Sequence, residues 1–217
     1  MKRALDLFCK AGGATRGLQL AGYHVTGVDI KPQPRYCGDE FIQTDAMKFP
    51  LEGYDFIWAS PSCQGHTELN NDKSKWDRTQ LGKVIKRLKK HGGRWAVENV
   101  MGARPVMGPE AVCLCGSMFG LGVGHGGAFY QLQRHRLVLA SYPFKPPICD
   151  HSEPVVGVYG GHARCRAARH GGRRTRDPWD HKTIASMAMG IDWMTLNELS
   201  EAIPPVYSKF VVEHNER

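Results

Sequence analysis

Residues 5–22 read LDLFCKAGGATRGLQLAG, an apolar run, a glycine turn and a helically spaced segment in close succession. Arg3 to Phe8 has the make-up of a buried strand and Lys10-Ala11-Gly12-Gly13 that of a tight turn. Ala14 to Ala21 places Leu18 and Ala21 on one helical face before a stop at Gly22. A strand passing through glycine into a helix aims backbone amides at one point, where an anion or a nucleotide is well held. The next apolar run, His24 to Asp29, ends in an acid placed to accept bonds from ribose hydroxyls. The turn is neither GxGxxG nor GKT/GKS, which disfavours dinucleotide binding and phosphate-loop hydrolysis. Taken alone, Gly12 and Gly13 fit a plain tight turn equally well.

Working outward, Phe41 to Asp45, Tyr54 to Ser60 and Arg94 to Val100 continue a series of strands. Asp77 to His91 reads as a basic amphipathic helix with Leu81, Val84, Ile85 and Leu88 inward. Strands alternating with helices and Gly-rich connections predict an α/β fold on a parallel sheet. In such a sheet the carboxyl ends of the strands converge on one crevice. Asp29, Asp45, Cys63 and Glu98 all fall at or just past predicted strand ends. Cys63, in IWASPSCQGHT (57–67), could by itself be a nucleophile, a metal ligand or a buried filler. Its place in a crevice shared with Glu98 favours the nucleophile. Beyond residue 100 the pattern changes: Gly102 to Gly127 is glycine-rich, Gln131 to Ser141 reads as one strand, and Pro143 to Arg176 reads as irregular. Thr183 to Met189 and Thr195 to Ala202 read as helices, and Pro204-Pro205 opens a last one.

The chain has 217 residues and is 41% hydrophobic, enough for one globular domain with a small appendage. No apolar stretch is long enough to span a bilayer. The opening MKRALDLFCKAGG lacks an extended apolar region and a small-residue cleavage site, and reads as a mature start. Seven cysteines, an odd and scattered set, indicate a reducing cytoplasm rather than a disulfide scaffold. The net charge of +8 favours a polyanionic partner. Its densest part, HARCRAARHGGRRTR (162–176), carries Arg164, Arg166, Arg169, Arg173, Arg174 and Arg176 without an acid. A solvated loop could look the same, but six unpaired guanidinium groups favour nucleic acid.

These segments resemble, in order, the motifs of the DNA cytosine-5 methyltransferases. LDLFCKAGGATRGLQLAG is similar to their S-adenosylmethionine-binding first motif, SPSCQ to the motif with the catalytic cysteine, and ENV to the glutamate motif. QRHR before LVLAS resembles their arginine motif, and AIPPVYSKFV the final motif. The resemblance implies a Rossmann-like methyltransferase domain formed by residues 1–140 with 184–217, and a minimal DNA target-recognition region at 141–183. It implies that a Cys63 thiolate adds to carbon 6 of a flipped-out cytosine, with Glu98 on ring nitrogen 3 and the exocyclic amine. Arg136, with Arg134 close by, holds the carbonyl oxygen at carbon 2. For the cofactor, it implies Phe8 near the adenine and Ala11, Gly12 and Gly13 around the methionine end. Asp29 takes the ribose and Asp45 the adenine amine, and Ile30, Ala46, Pro61, Leu81 and Ala202 also line the cofactor site. Gln64 begins a mobile lid (64–75) over the base. The six arginines contact double-stranded DNA, so a short or relaxed target sequence is expected of a monomer. The compact length resembles members carried by bacteriophages.

Four positions depart from the family pattern: Lys10 for glycine, Ser62 for the second proline of Pro-Pro-Cys, Leu132 for the glutamine of QxRxR, and Glu201 for asparagine. An RNA cytosine methyltransferase and an inert DNA-binding module on the same fold are the alternatives. The inert module is disfavoured because Cys63, Glu98, Arg134 and Arg136 are all present. Cys113-x-Cys115 and Cys149-x-His151, with His162 and Cys165 nearby, raise a zinc reading. Their spacings do not match the usual CxxC pairs, so buried thiols and no metal are expected. His66 and His125 read as loop histidines rather than catalysts.

Overall fold

The computed structural model describes residues 1–67, 72, 75–166 and 180–214. The elements, in chain order, are β1 (Arg3–Leu7), α1 (Gly13–Leu20), β2 (His24–Asp29), β3 (Glu40–Gln43), β4 (Phe56–Ala59) and α2 (Gln80–His91). They continue with β5 (Trp95–Asn99), α3 (Arg104–Met107), β6 (Val112–Leu114), β7 (Gly122–His125), β8 (Ala128–Leu132) and β9 (Arg136–Ala140). The last are β10 (Val155–Tyr159), β11 (His162–Arg166), α4 (His181–Met189), α5 (Leu196–Glu201) and α6 (Pro205–Glu213). The main sheet has the order β3-β2-β1-β4-β5-β9-β6. Its first five strands are parallel, and β9 runs antiparallel to both β5 and β6. The predicted parallel sheet thus carries an antiparallel edge.

The central strands are apolar because both faces are covered. Every residue of β4 (FIWA) and β5 (WAVEN) is buried, as parallel strands between helical layers require. Leu81, Val84, Ile85 and Leu88 of α2 lie against one face, as their spacing predicts, and Lys89, Lys90 and His91 sit at the helix end where the dipole favours cations. On the other face α6 lies close against α1. A Cβ at Gly17 would stand 1.9 Å from the Pro205 carbonyl oxygen, so only glycine permits this approach. Ser208 Oγ donates to the Ala14 carbonyl across it (2.7 Å).

Two expectations are corrected. Gln131 to Ser141 is not one strand but two, β8 and β9, which belong to different sheets. Between them Arg134 turns inward, and its guanidinium donates to the carbonyls of Val158, Ser200 and Ala202 (2.9 Å at Ser200), which breaks the strand. The segment read as irregular contains a hairpin, β10 and β11, turned by Gly160 and Gly161 at φ 58° and 72°. Positive φ at both positions is the two-residue turn that glycine supplies without steric cost. The hairpin completes a second sheet, β11-β10-β8-β7. That sheet takes strands from both sides of residue 141, and α4 packs on it through Ile184, Ala185, Ala188 and Met189.

Candidate active site

In the main sheet β1 is flanked by β2 on one side and β4 on the other, so the chain winds away from it in opposite directions. A crevice opens at such a reversal, at the carboxyl ends of the two strands. The turn Phe8–Gly13 leaves β1 there, and Ser60–Cys63 leaves β4.

The turn after β1 is tightly specified. Phe8 and Lys10 have φ of 62° and 47°, a left-handed conformation that costs a non-glycine residue on the order of 1 kcal/mol or more. Asp29, buried at the end of β2, holds this geometry: one carboxylate oxygen accepts from Lys10 N (3.1 Å) and the other from Lys31 N (3.0 Å). Trp193 Nε1 donates to the Ala11 carbonyl (2.8 Å). Gly13 lies under the last motif, where a Cβ would meet the Ile203 carbonyl oxygen at 2.5 Å and Ala202 Cβ at 3.5 Å. Ala202 is thereby brought against the turn from the far end of the chain. Ile30 is 67% exposed directly after Asp29. Asp45 caps the bend after β3 through Met47 N (2.9 Å), and Arg87 of α2 ties Ala46 to the helix by donating to its carbonyl (2.8 Å). Leu81 belongs to the core under this side of the crevice.

Cys63 is half-buried at the opposite wall. Asn99 Nδ2 donates to the Pro61 carbonyl (3.0 Å), and Cys63 O accepts from the amides of His66 and Thr67, both at 2.9 Å. Where the family has proline, Ser62 uses the amide proton a proline lacks: it donates to Gln80 Oε1 (3.2 Å) at the start of α2. Two hydrogen-bonding atoms thus replace one fixed dihedral, since Ser62 Oγ also accepts from Gln64 N at 3.5 Å. Burial pushes the Cys63 thiol up, and Glu98 adds to this, while Arg136 and Lys10 pull it down.

Glu98, buried on β5, is also pushed up by burial. The Arg136 guanidinium and the Ser60 hydroxyl act against that. Arg136 Nε lies 3.1 Å from Glu98 Oε1, with both side chains largely shielded from solvent. Ser60 in turn accepts from Trp58 Nε1 (2.9 Å). The two arginines of QRHR therefore part company. Arg136 faces Glu98, whereas Arg134 is wholly buried, is spent on three backbone carbonyls, and has its own carbonyl bonded by Tyr207 Oη (2.7 Å).

Asn99, Ser60, Trp193 and Tyr207 hold the site and were not singled out by sequence reasoning. Asn99 alone carried a signal, as the neighbour of Glu98 in ENV. Of the arginine cluster, Arg164 and Arg166 lie on one face of β11 with His162, and Arg166 Nη2 donates to Tyr159 Oη (2.8 Å). Arg169, Arg173, Arg174 and Arg176 lie outside the described residues, as do most of the lid expected at 64–75 and the His125 side chain. His66 is buried in the turn behind Cys63. Cys165 lies in the core of the second sheet, as a filler thiol does, and Cys113 packs against the core of the main sheet.

No protein-family model and no curated protein sequence matches this chain. Solved structures do. An Escherichia coli prophage-encoded protein assigned as a DNA modification methyltransferase superposes with a TM-score of 0.61 at 13% identity, covering 100% of this chain and 99% of the other. The Schizosaccharomyces pombe Dnmt2 methyltransferase gives 0.60 at 16% identity, covering 100% and 99%. A Spodoptera frugiperda DNMT2 variant gives 0.61 at 11%, covering both chains in full. The chain shares with these methyltransferase structures the fold of a Rossmann-like sheet.

Proposed function

We propose that this protein transfers a methyl group from S-adenosylmethionine to carbon 5 of cytosine in double-stranded DNA, through a transient covalent bond to Cys63. The observation that carries this is the Arg136–Glu98 pair, held at 3.1 Å in the crevice where Cys63 feels both charges.

The chain's own groups account for the base chemistry. Cytosine carbon 5 is a weak nucleophile, and addition of the Cys63 thiolate at carbon 6 makes it enamine-like. Glu98, raised by burial, donates a proton to ring nitrogen 3 as negative charge builds there, and accepts from the exocyclic amine. Arg136 orients Glu98 and faces the carbonyl oxygen at carbon 2. After methylation, water takes the carbon 5 proton, Glu98 takes back the nitrogen 3 proton, and the Cys63 sulfur leaves as thiolate, which restores the aromatic ring. The donor set around the first turn suits the cofactor. Asp29, anchored by two amides, keeps lone pairs for ribose hydroxyls, and the exposed Ile30 offers an apolar face to the purine. Asp45 serves the adenine amine, with Phe8, Ala11, Gly12, Gly13, Pro61 and Ala202 around the rest. When bound, the sulfonium supplies the electrophilic methyl carbon. Arg164 and Arg166, on one face of the second sheet, suit phosphate contacts that position DNA without reading its sequence.

The test is transfer of tritiated methyl from S-adenosylmethionine to unmethylated duplex DNA and to RNA, with base analysis of the product. The expected result is 5-methylcytosine in DNA with the wild type and none with Cys63→Ser. Label in RNA only would transfer the reading to an RNA enzyme. Label in neither, from a chain that binds the cofactor, would remove it.

A further inference from the structure

Four side chains from three distant segments meet outside the crevice. Cys115 follows β6, His135 lies between β8 and β9, and Cys149 and His151 come from the connection between β9 and β10. Cys115 Sγ lies 3.3 Å from His151 Nε2, Cys149 Sγ 3.2 Å from the same nitrogen, and Cys149 Sγ 3.5 Å from His135 Nε2. All four ligand atoms fall within 4.8 Å of one another. Zinc–sulfur and zinc–nitrogen bonds of about 2.3 and 2.0 Å give a tetrahedron with edges of roughly 3.3–3.8 Å. The three sulfur–nitrogen separations run from just below that range to its middle.

We propose that Cys115, His135, Cys149 and His151 bind a zinc ion in a closed, structural site. Two thiolates and two imidazoles are the donor set that favours zinc over harder cations, and four protein ligands leave no open position for chemistry. A supporting contact is in place: the Gln133 side-chain amide lies 3.3 Å from His151 Nδ1, the ring nitrogen that carries the proton when Nε2 binds metal. The atom facing the ring is Gln133 Nε2, so a half-turn of the amide brings its oxygen round to accept that proton. The two imidazoles meet edge to face, with centroids 4.9 Å apart, as two rings turned toward one ion do.

The location gives the ion a purpose. Residues 143–154 form neither helix nor strand and contain Pro143, Pro146, Pro147 and Pro154, so few backbone hydrogen bonds hold them. A clip at Cys149 and His151 fastens this connection, which links the two sheets, onto the main one. His135 stands between the carbonyl clamp Arg134 and the Glu98 partner Arg136. Metal binding would fix the peptide from which Arg136 reaches the crevice.

The experiment uses the full chain, expressed with zinc and purified under reducing conditions without chelator or polyhistidine tag. Elemental analysis should give about one zinc per chain. Exchange for cobalt should give the intense visible bands of a tetrahedral thiolate site. Cys149→Ser, chosen because Cys149 is exposed and its loss leaves the core intact, should lower zinc affinity by more than about tenfold, as should His151→Asn. Cys113→Ser, a thiol outside the cluster, should keep the metal. Circular dichroism confirms that each variant is folded. Three results would each overturn the assignment: a wild-type chain that neither carries zinc nor develops the cobalt bands, zinc retained unchanged in both ligand variants, or a Cys115–Cys149 disulfide in the purified protein.

Discussion

Lys10 Nζ stands 2.5 Å from Glu201 Oε2, joining the first turn of the chain to the end of α5 across 191 positions. Both residues depart from the methyltransferase motifs that their segments resemble, and they depart together. The two side chains are 47% and 50% exposed, so the pair contributes less than about 1 kcal/mol. The left-handed Lys10 backbone costs about as much or more. Lys10→Gly should therefore melt at or above the wild type, while Lys10→Ala, which keeps the strain and loses the pair, should melt below it. Equal destabilisation by both would show that the ion pair outweighs the backbone.

Burial and Glu98 push the Cys63 thiol above its ordinary value, against the pull of Arg136 and Lys10. Peptide-resolved alkylation of Cys63 should rise with pH to a midpoint above about 8.5, the value of a free thiol. Arg136→Ala removes a charge that lowers it and should move the midpoint higher still. A midpoint below that of a free thiol would contradict the burial argument.

Asp6, beneath the crevice on β1, is pushed up to about 7 by burial, against a hydrogen bond from Thr15 Oγ1 at 2.6 Å. The folded state therefore holds this proton more tightly than the unfolded one. Stability is lost as pH rises from about 4 through 7, by an amount on the order of a few kcal/mol. Asp6→Asn keeps an acceptor for Thr15 and carries no charge. Its melting temperature should match the wild type near pH 4 and exceed it increasingly up to pH 8, and a difference that is flat with pH would exclude the linkage.

The two arginines of QRHR should separate in their effects. Arg134→Met strands the carbonyls of Val158, Ser200 and Ala202 and should cost about 3 kcal/mol or more in denaturant unfolding. Arg136→Met should unfold within about 1–2 kcal/mol of wild type yet lose roughly a hundredfold or more in methyl transfer. The reverse pattern would exchange their roles.

If the second sheet meets phosphates, Arg166→Ala should weaken binding to unrelated duplexes equally and reduce the salt dependence of affinity by about one unit of slope. Fluorescence anisotropy at graded salt reads this directly. An unchanged slope would place the contact elsewhere.

The main sheet was legible because its strands are buried on both faces and therefore near-continuously apolar, and His24–Asp29 lies where its run of residues predicts. The crevice was legible for the same reason: sheet topology, not spacing, brings Gly13, Asp29, Cys63 and Glu98 together. The second sheet was missed because β10 and β11 lie inside the segment 143–176, whose prolines, glycines and arginines read as irregular, although Gly160-Gly161 between VVGVY and HARCR carried a hairpin signal. The inward turn of Arg134 left no trace in sequence, because its three acceptors are main-chain carbonyls, which every residue has. The gathering of His135 with Cys115, Cys149 and His151 was hidden because its members come from separate segments rather than from one short repeat of the usual spacing.

The second sheet also bears on how this fold can be recombined. Its four strands enter as one pair before β9 and one pair after it, with β8 and β10 lying side by side in parallel. No single cut removes it. A transplant of residues 141–183 would leave β8 without its neighbour, its edge open to pairing with another chain. The sheet cannot be exchanged as a cassette. It can change only residue by residue, on the face that is not committed to α4.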